Sequence, residues 1–239
     1  MRYKSVLVGG IILLLFSGGA FAVLYALLRH EPNFYRQSAV PPGAARQQQS
    51  KAFETQAFDL YREINNDLDW QAKFTEMQVN SWLAEDFIRS NLAQQLPAGV
   101  SEPRIAFRPG RVLLAFRYGD GTWDTVVSVE AKVWVPKQEP NVVALQIEDL
   151  RAGAMPIAVK VLQHELTEGA RQHNIEVHWY RHEGKPVAIL RFQADRREPS
   201  LQLDELEVGD GYLFVKGRSV DPDAPRRIAE YPLDLRPAP

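Results

Sequence analysis

The sequence predicts an α+β domain carried behind an N-terminal membrane anchor. Three observations support this. An uncharged apolar run extends from Val6 to Leu28, long enough at about 1.5 Å per helical residue to cover roughly 34 Å. Alternating strand patterns joined by tight turns dominate the middle and end of the chain, which favours an antiparallel sheet. The helical patterns stand before and within this meander instead of alternating with each strand, so a doubly wound fold is not expected. The expected organisation is an anchor at 1–28, a flexible linker at 29–50, an α+β domain at 51–220 and a proline-rich tail at 221–239.

Arg2 and Lys4 precede the apolar run, and Arg29, His30 and Glu31 end it. Its glycines, Gly9, Gly10, Gly18 and Gly19, would weaken a helix in water but are tolerated in a bilayer. A cleaved signal peptide is the rival reading, because Ala20-Phe21-Ala22 fits the small-x-small rule. The run continues through Val23 to Leu28, where a signal peptide normally turns polar, and this favours the anchor. The short basic N-terminus favours a cytoplasmic start with the domain exported. The expectation is a single-pass protein of the bacterial inner membrane, with its C-terminal domain facing the periplasm or cell exterior and residues Val6 to Leu28 in contact with lipid.

Pro32, Pro41-Pro42-Gly43 and Gln47-Gln48-Gln49 interrupt periodicity in the linker segment. From Ser50, residues Phe53, Ala57, Leu60, Tyr61, Ile64 and Leu68 recur at helical spacing. Thr75-Glu76-Met77-Gln78 is a capping box, with Phe74 and Val79 at the spacing of a hydrophobic staple. The helix it opens is expected to run from 75 to 96, with Val79, Trp82, Leu83, Phe87 and Leu92 along its buried stripe.

Arg104–Phe107 and Val112–Tyr118 flank Arg108-Pro109-Gly110-Arg111, a hairpin signal. Beyond Gly119-Asp120-Gly121, the alternation of Trp123, Thr125, Val127, Val129, Ala131, Val133 and Val135 with polar residues predicts a long strand with one wet face. Val142–Ile147 continues the meander. Pro156 suits the first turn of a helix at 156–172, whose stripe is Ile157, Val161, Leu162 and Leu166. Ile175–Tyr180 and Val187–Phe192 form a further hairpin, and Leu201–Val208 leads through Gly209-Asp210-Gly211 into Tyr212–Val215.

The chain has 239 residues, 45% of them apolar and 24% charged, with a formal net charge of −2 and no cysteine. A folded domain is expected. The scattered basic residues and lack of basic excess argue against nucleic-acid binding. Without cysteine there is no disulfide, thiolate metal site or thiol nucleophile. His164-Glu165 begins like a zinc-protease helix, but Glu168 stands where the second histidine is required. His178 and His182 share one strand face roughly 13 Å apart, too far to share a metal unless the turn begins early. Neither Glu85-Asp86 nor Asp221-Pro222-Asp223 suggests converging carboxylates, and no phosphate-binding or nucleophile-elbow motif occurs. Neither a cofactor nor an enzymatic activity is expected.

The segment from Phe74 to Leu83, FTEMQVNSWL, resembles the opening of the YpmS-like membrane-anchored bacterial proteins of unknown function. Leu150-Arg151-Ala152-Gly153-Ala154-Met155-Pro156 and the following helix resemble their Gly-x-x-Pro–helix segment, and the closing Gly-Asp-Gly strand recurs. The resemblance covers roughly residues 70 to 218 and extends to LmeA-like phospholipid-binding proteins and tubular lipid-binding (TULIP-type) folds. It implies a long curved antiparallel sheet wrapped on two or three helices, and a lipid or other apolar ligand held without catalysis. The expected groove residues are Trp82, Leu83, Phe87, Phe116, Trp134, Ile157, Val161 and Leu162. The aromatic residues among them serve equally well as ordinary core, which leaves an envelope scaffold with a protein partner as the alternative function.

Overall fold

The computed structural model describes residues 19, 21–90, 92–121, 123–136, 139, 141–172, 174–192 and 201–219. Most of the expected anchor (1–18 and Ala20) and the expected tail (221–239) lie outside the described residues. Residues 21–28 are helical. Among the described residues, no helix is long and apolar enough to cross a membrane.

The fold is α+β, with two antiparallel sheets where the sequence suggested one. The larger has strand order β2-β3-β4-β5-β8-β7, formed by β2 (Val100–Arg108), β3 (Arg111–Gly119), β4 (Asp124–Trp134), β5 (Val142–Ala152), β8 (Lys185–Phe192) and β7 (Ile175–His182). A two-residue strand, β6 (Met155–Pro156), returns on the end of β5. The smaller sheet has order β1-β10-β9, formed by β1 (Asp69–Thr75), β10 (Tyr212–Ser219) and β9 (Leu201–Val208).

Strand β1 was not foreseen, although its side chains alternate strictly, with Trp70, Ala72 and Phe74 buried. The Trp70 ring lies over Gly217 on β10. A Cβ added to Gly217 would sit 2.2 Å from that ring, so only glycine fits beneath the indole. Phe74 meets Phe53 of helix α2 (Ala44–Asn66) with ring centroids 5.2 Å apart.

The 29–50 segment is not a flexible linker. It contains a short helix, α1 (Asn33–Gln37), and the first turns of α2, which starts at Ala44 ahead of the expected Ser50. Tyr35 and Ser50 are fully buried. Arg46 on α2 reaches Glu85 at 2.6 Å, and Ser50 donates to Asp86 at 2.5 Å. These long-range contacts outweigh the local turn signals. Along α2, Phe53, Ala57, Leu60 and Ile64 are half-buried and Tyr61 faces solvent, and the helix ends at Asn66, which leaves Leu68 beyond it and exposed.

Helix α3 (Glu76–Ala84) begins at the expected capping box. The Thr75 hydroxyl accepts from the Gln78 amide at 3.2 Å, and Gln78 Oε1 accepts from the Thr75 amide at 2.8 Å. The expected helix to 96 stops at Ala84. Glu85 departs from helical geometry, with φ −117° and ψ −80°, and is followed by a single turn, α4 (Asp86–Arg89), and a 3₁₀ turn at Leu92–Gln95. Glu85 is held by Arg46 on one side and Arg89 on the other.

Helix α5 (Val159–Gln172) starts later than expected, because Pro156 belongs to β6 and pairs with Arg151. Its residues Val159 and Leu162 pack with Ile157 on Val129, Ala131, Ile147 and Leu150 of β4 and β5. The opposite face of β4 is not wet, since Val126, Ser128 and Trp134 are buried there. Tyr35 and Phe34 cover one end of that face, and Trp134 joins Val142, Ala144, Val187 and Ile189 at the other.

Candidate functional site at the junction of helix and sheet

The N-terminal apolar segment meets the large sheet in a closely fitted junction. The carbonyls ending a helix have no partners within it. Here Leu27 O accepts from the Ala154 amide at 2.8 Å, and Leu28 O accepts from the Thr125 hydroxyl at 2.6 Å. Gly153, at φ +61°, permits this approach: a Cβ there would lie 2.2 Å from Leu27 O and 2.5 Å from Leu28 O. Its own amide donates to Val126 O at 2.8 Å.

Charged and aromatic groups continue the junction. Arg29 pairs with Asp124 at 3.4 Å and lies 5.3 Å from the Tyr25 ring centre. Tyr25 stands edge-on to Trp123, with centroids 5.7 Å apart and planes at 89°. Arg117 bonds Glu31 and Asp124, the latter at 3.0 Å, and lies 3.5 Å from Glu102. Partial burial by itself would lower the pKa of Arg117, but the hydrogen bond and charge of Glu31, with Tyr35 and Glu102 adding, hold it above the ordinary arginine value.

Tyr35 completes the cluster. Its ring is stacked by Arg104 at 4.1 Å, with Arg117 at 5.9 Å. Its hydroxyl donates to Glu102 O at 3.1 Å, and its carbonyl accepts from Arg104 at 2.9 Å. Burial pushes the phenol up from 10.0 to about 12, against the opposing charge of Arg104.

Beside the junction lies a cleft of about 270 Å³ with Phe34, Leu113, His30, Glu130, Asp149 and Arg151 in its wall. A second cleft, of about 470 Å³, lies between α1 and α3 and includes Ser38, Glu76, Met77, Asn80, Arg108 and Asp210. The Glu76 carboxylate there is already engaged, accepting from Ser38, the Phe107 amide and Arg108 at 3.0–3.2 Å. Among the described residues, no group of three or more His, Asp or Glu is arranged to hold a metal ion.

The described residues among the eight expected to line an apolar groove fall into separate clusters. Trp82, Leu83 and Phe87 lie on α3 and α4, where Trp82 packs between Phe53 and Phe87 at centroid distances of 5.1 and 5.4 Å. Ile157 and Leu162 pack under α5, on the sheet face shared by Phe116 through its pairing with Val127. Trp134 is buried on the opposite face. Val161 falls within α5, but its side chain lies outside the described residues. None of the seven whose side chains are described lines either cleft. The junction residues Glu31, Tyr35, Arg104, Arg117 and Gly153 were not singled out by sequence reasoning as a site, and no local pattern marks them as one.

Comparison with protein-family models, with curated proteins and with solved structures finds no match to this chain.

Proposed function

We propose that this chain is a membrane-anchored, non-catalytic envelope protein whose α+β domain serves as a scaffold held in fixed orientation at the bilayer. The main support is the junction, where the last two carbonyls of the apolar segment are bonded to Thr125 and Ala154. Arg29 and Glu31 just beyond them pair with Asp124 and Arg117. A domain meant to swing on a tether gains nothing from such contacts. The resemblance to YpmS-like proteins over residues 70–218 agrees with the anchored topology. The scaffold role is favoured by the dispersal of the expected groove residues. It is favoured too by α2, which presents Phe58 and Tyr61, each 66% exposed, on its solvent side.

The topology is tested by fusing alkaline phosphatase after Pro239 in a bacterial host. Activity of the fusion, with the chain retained in the membrane pellet after carbonate washing, is the expected result. Soluble domain beginning at Val23 would overturn the anchor. The scaffold role is tested by a photo-crosslinking residue at position 58, which should capture one discrete partner in cells. A ladder of unspecific adducts equal to that from Lys51 would remove it.

Binding of a lipid or another apolar ligand is the second reading, supported by the cleft beside the junction. It combines Phe34 and Leu113 with basic His30 and Arg151 and acidic Glu130 and Asp149, the last paired with Arg151 at 2.5 Å, a mixed-charge lining suited to a zwitterionic lipid headgroup. Native mass spectrometry of the full chain in mild detergent should then show retained phospholipid that Arg151→Glu releases. An empty wild-type chain rules the reading out.

A further inference from the structure

We infer that the β3–β4 hairpin is a second membrane contact, seating Trp123 and Tyr118 in the headgroup region of the same bilayer that takes the N-terminal run. This rests on the anchored topology proposed above. Trp123 is 63% exposed and Tyr118 51% exposed, whereas Trp70 and Trp134 of the same domain are buried. Tryptophan and tyrosine are enriched where hydrocarbon gives way to water, because one end of each ring is apolar and the other polar.

The hairpin is built to hold Trp123 outward. Gly119, at φ +150°, lets the chain fold back so closely that a Cβ would sit 2.1 Å from Trp123 O. The Asp120 carboxylate accepts from the Trp123 amide at 3.2 Å. The turn is thus closed by the Asp120 side chain and leaves the indole outside.

The occupant of this surface is fixed by what lies next to it. Tyr25, edge-on to Trp123, belongs to the last turn of the run from Val6 to Leu28. Phe21, Val23, Leu24 and Leu27 of that segment are themselves 41–62% exposed. Thr125, two residues after Trp123, holds the Leu28 carbonyl. With lipid entry at the last turn of the run, Trp123 stands within one ring contact of the point of entry. Arg29, over Tyr25 and paired with Asp124, sets a polar boundary directly beside that aromatic pair.

The test uses the full chain reconstituted into vesicles of phosphatidylethanolamine and phosphatidylglycerol carrying brominated acyl chains, read by tryptophan fluorescence. Bromines near the headgroups should quench the wild type more than bromines at the chain ends. Trp123→Tyr, which keeps an aromatic ring against Tyr25, should lose that shallow-quenched component, while Trp82→Phe keeps it. Equal quenching of wild type and Trp123→Tyr overturns the inference, as does quenching independent of bromine depth. Carbonate extraction of the same vesicles separates the two failures. A chain washed off refutes the anchor itself, whereas a chain retained with Trp123 unquenched refutes only the hairpin contact.

Discussion

Asn80 accepts the amide of Ile105 at 2.9 Å with Oδ1 and donates to the carbonyl of the same residue at 2.8 Å with Nδ2. Ile105 lies on β2, the edge of the large sheet, so one side chain supplies both bonds that a neighbouring strand would make. Nδ2 also donates to Glu76 O at 2.9 Å, which ties the edge to the first turn of α3. Glu76 extends the arrangement by accepting the Phe107 amide at 3.0 Å.

Asn80→Ala should therefore lower stability by about 1–3 kcal/mol, the cost of leaving buried polar groups unpaired. Denaturant unfolding measures the loss, and hydrogen exchange at the Ile105 amide should accelerate selectively. A protected Ile105 amide in the variant would show that another group closes this edge.

Thr75→Ala removes the hydroxyl half of the capping box while leaving Gln78 in place. The expected cost is about 1 kcal/mol, seen as a lowered melting temperature. Thr75→Ser should restore most of it, since the accepting oxygen returns.

Tyr35 gives a pH signature. Its folded phenol titrates near 12 and its unfolded one near 10.0, so the folded chain retains a proton that the unfolded chain releases between those values. The resulting stability is fully present below pH 10 and is lost as the pH rises through 12. Tyr35→Phe should flatten the decline of stability in this window relative to wild type, measured by urea midpoints at successive pH values. An unaltered profile would assign the alkaline loss to other groups.

Gly153→Ala should break the junction while leaving the sheet core in place. The added Cβ meets two carbonyl oxygens, and the left-handed backbone costs a further 1–2 kcal/mol, roughly, for a non-glycine residue. Limited proteolysis should then cut at Arg29 or Arg36 faster than in wild type. Equal cleavage rates would mean that Leu27 and Leu28 hold their places without these bonds.

What could be read from the sequence was what neighbours in the chain decide. The capping box at Thr75–Gln78, the Pro109-Gly110 and Glu183-Gly184 turns and the alternation in β4 each depend on residues a few positions apart. The end of α3 was not visible, because Ala84-Glu85 contains no helix breaker; Arg46 and Ser50 pull the next turn aside from 36 to 39 residues away. Strand β1 was obscured by its place directly between two helices, with its last residue, Thr75, serving as the cap of α3, although Trp70, Ala72 and Phe74 alternate plainly. The junction was hidden because its acceptors are main-chain carbonyls, which look alike in every sequence, and because Tyr35 meets Arg104 from 69 residues away.

The burial of Tyr35 also determines how far the domain can travel. A coil the length of residues 29–50 would allow an excursion of roughly 25 Å from Leu28. With Tyr35 clamped by Arg104 and the Leu28 carbonyl bonded to Thr125, that search radius shrinks to the scale of a single hydrogen bond. On the anchored reading proposed above, encounter becomes the task of the other molecule: a partner would have to diffuse to the domain at one height and in one orientation, and fewer approach geometries would lead to productive collisions.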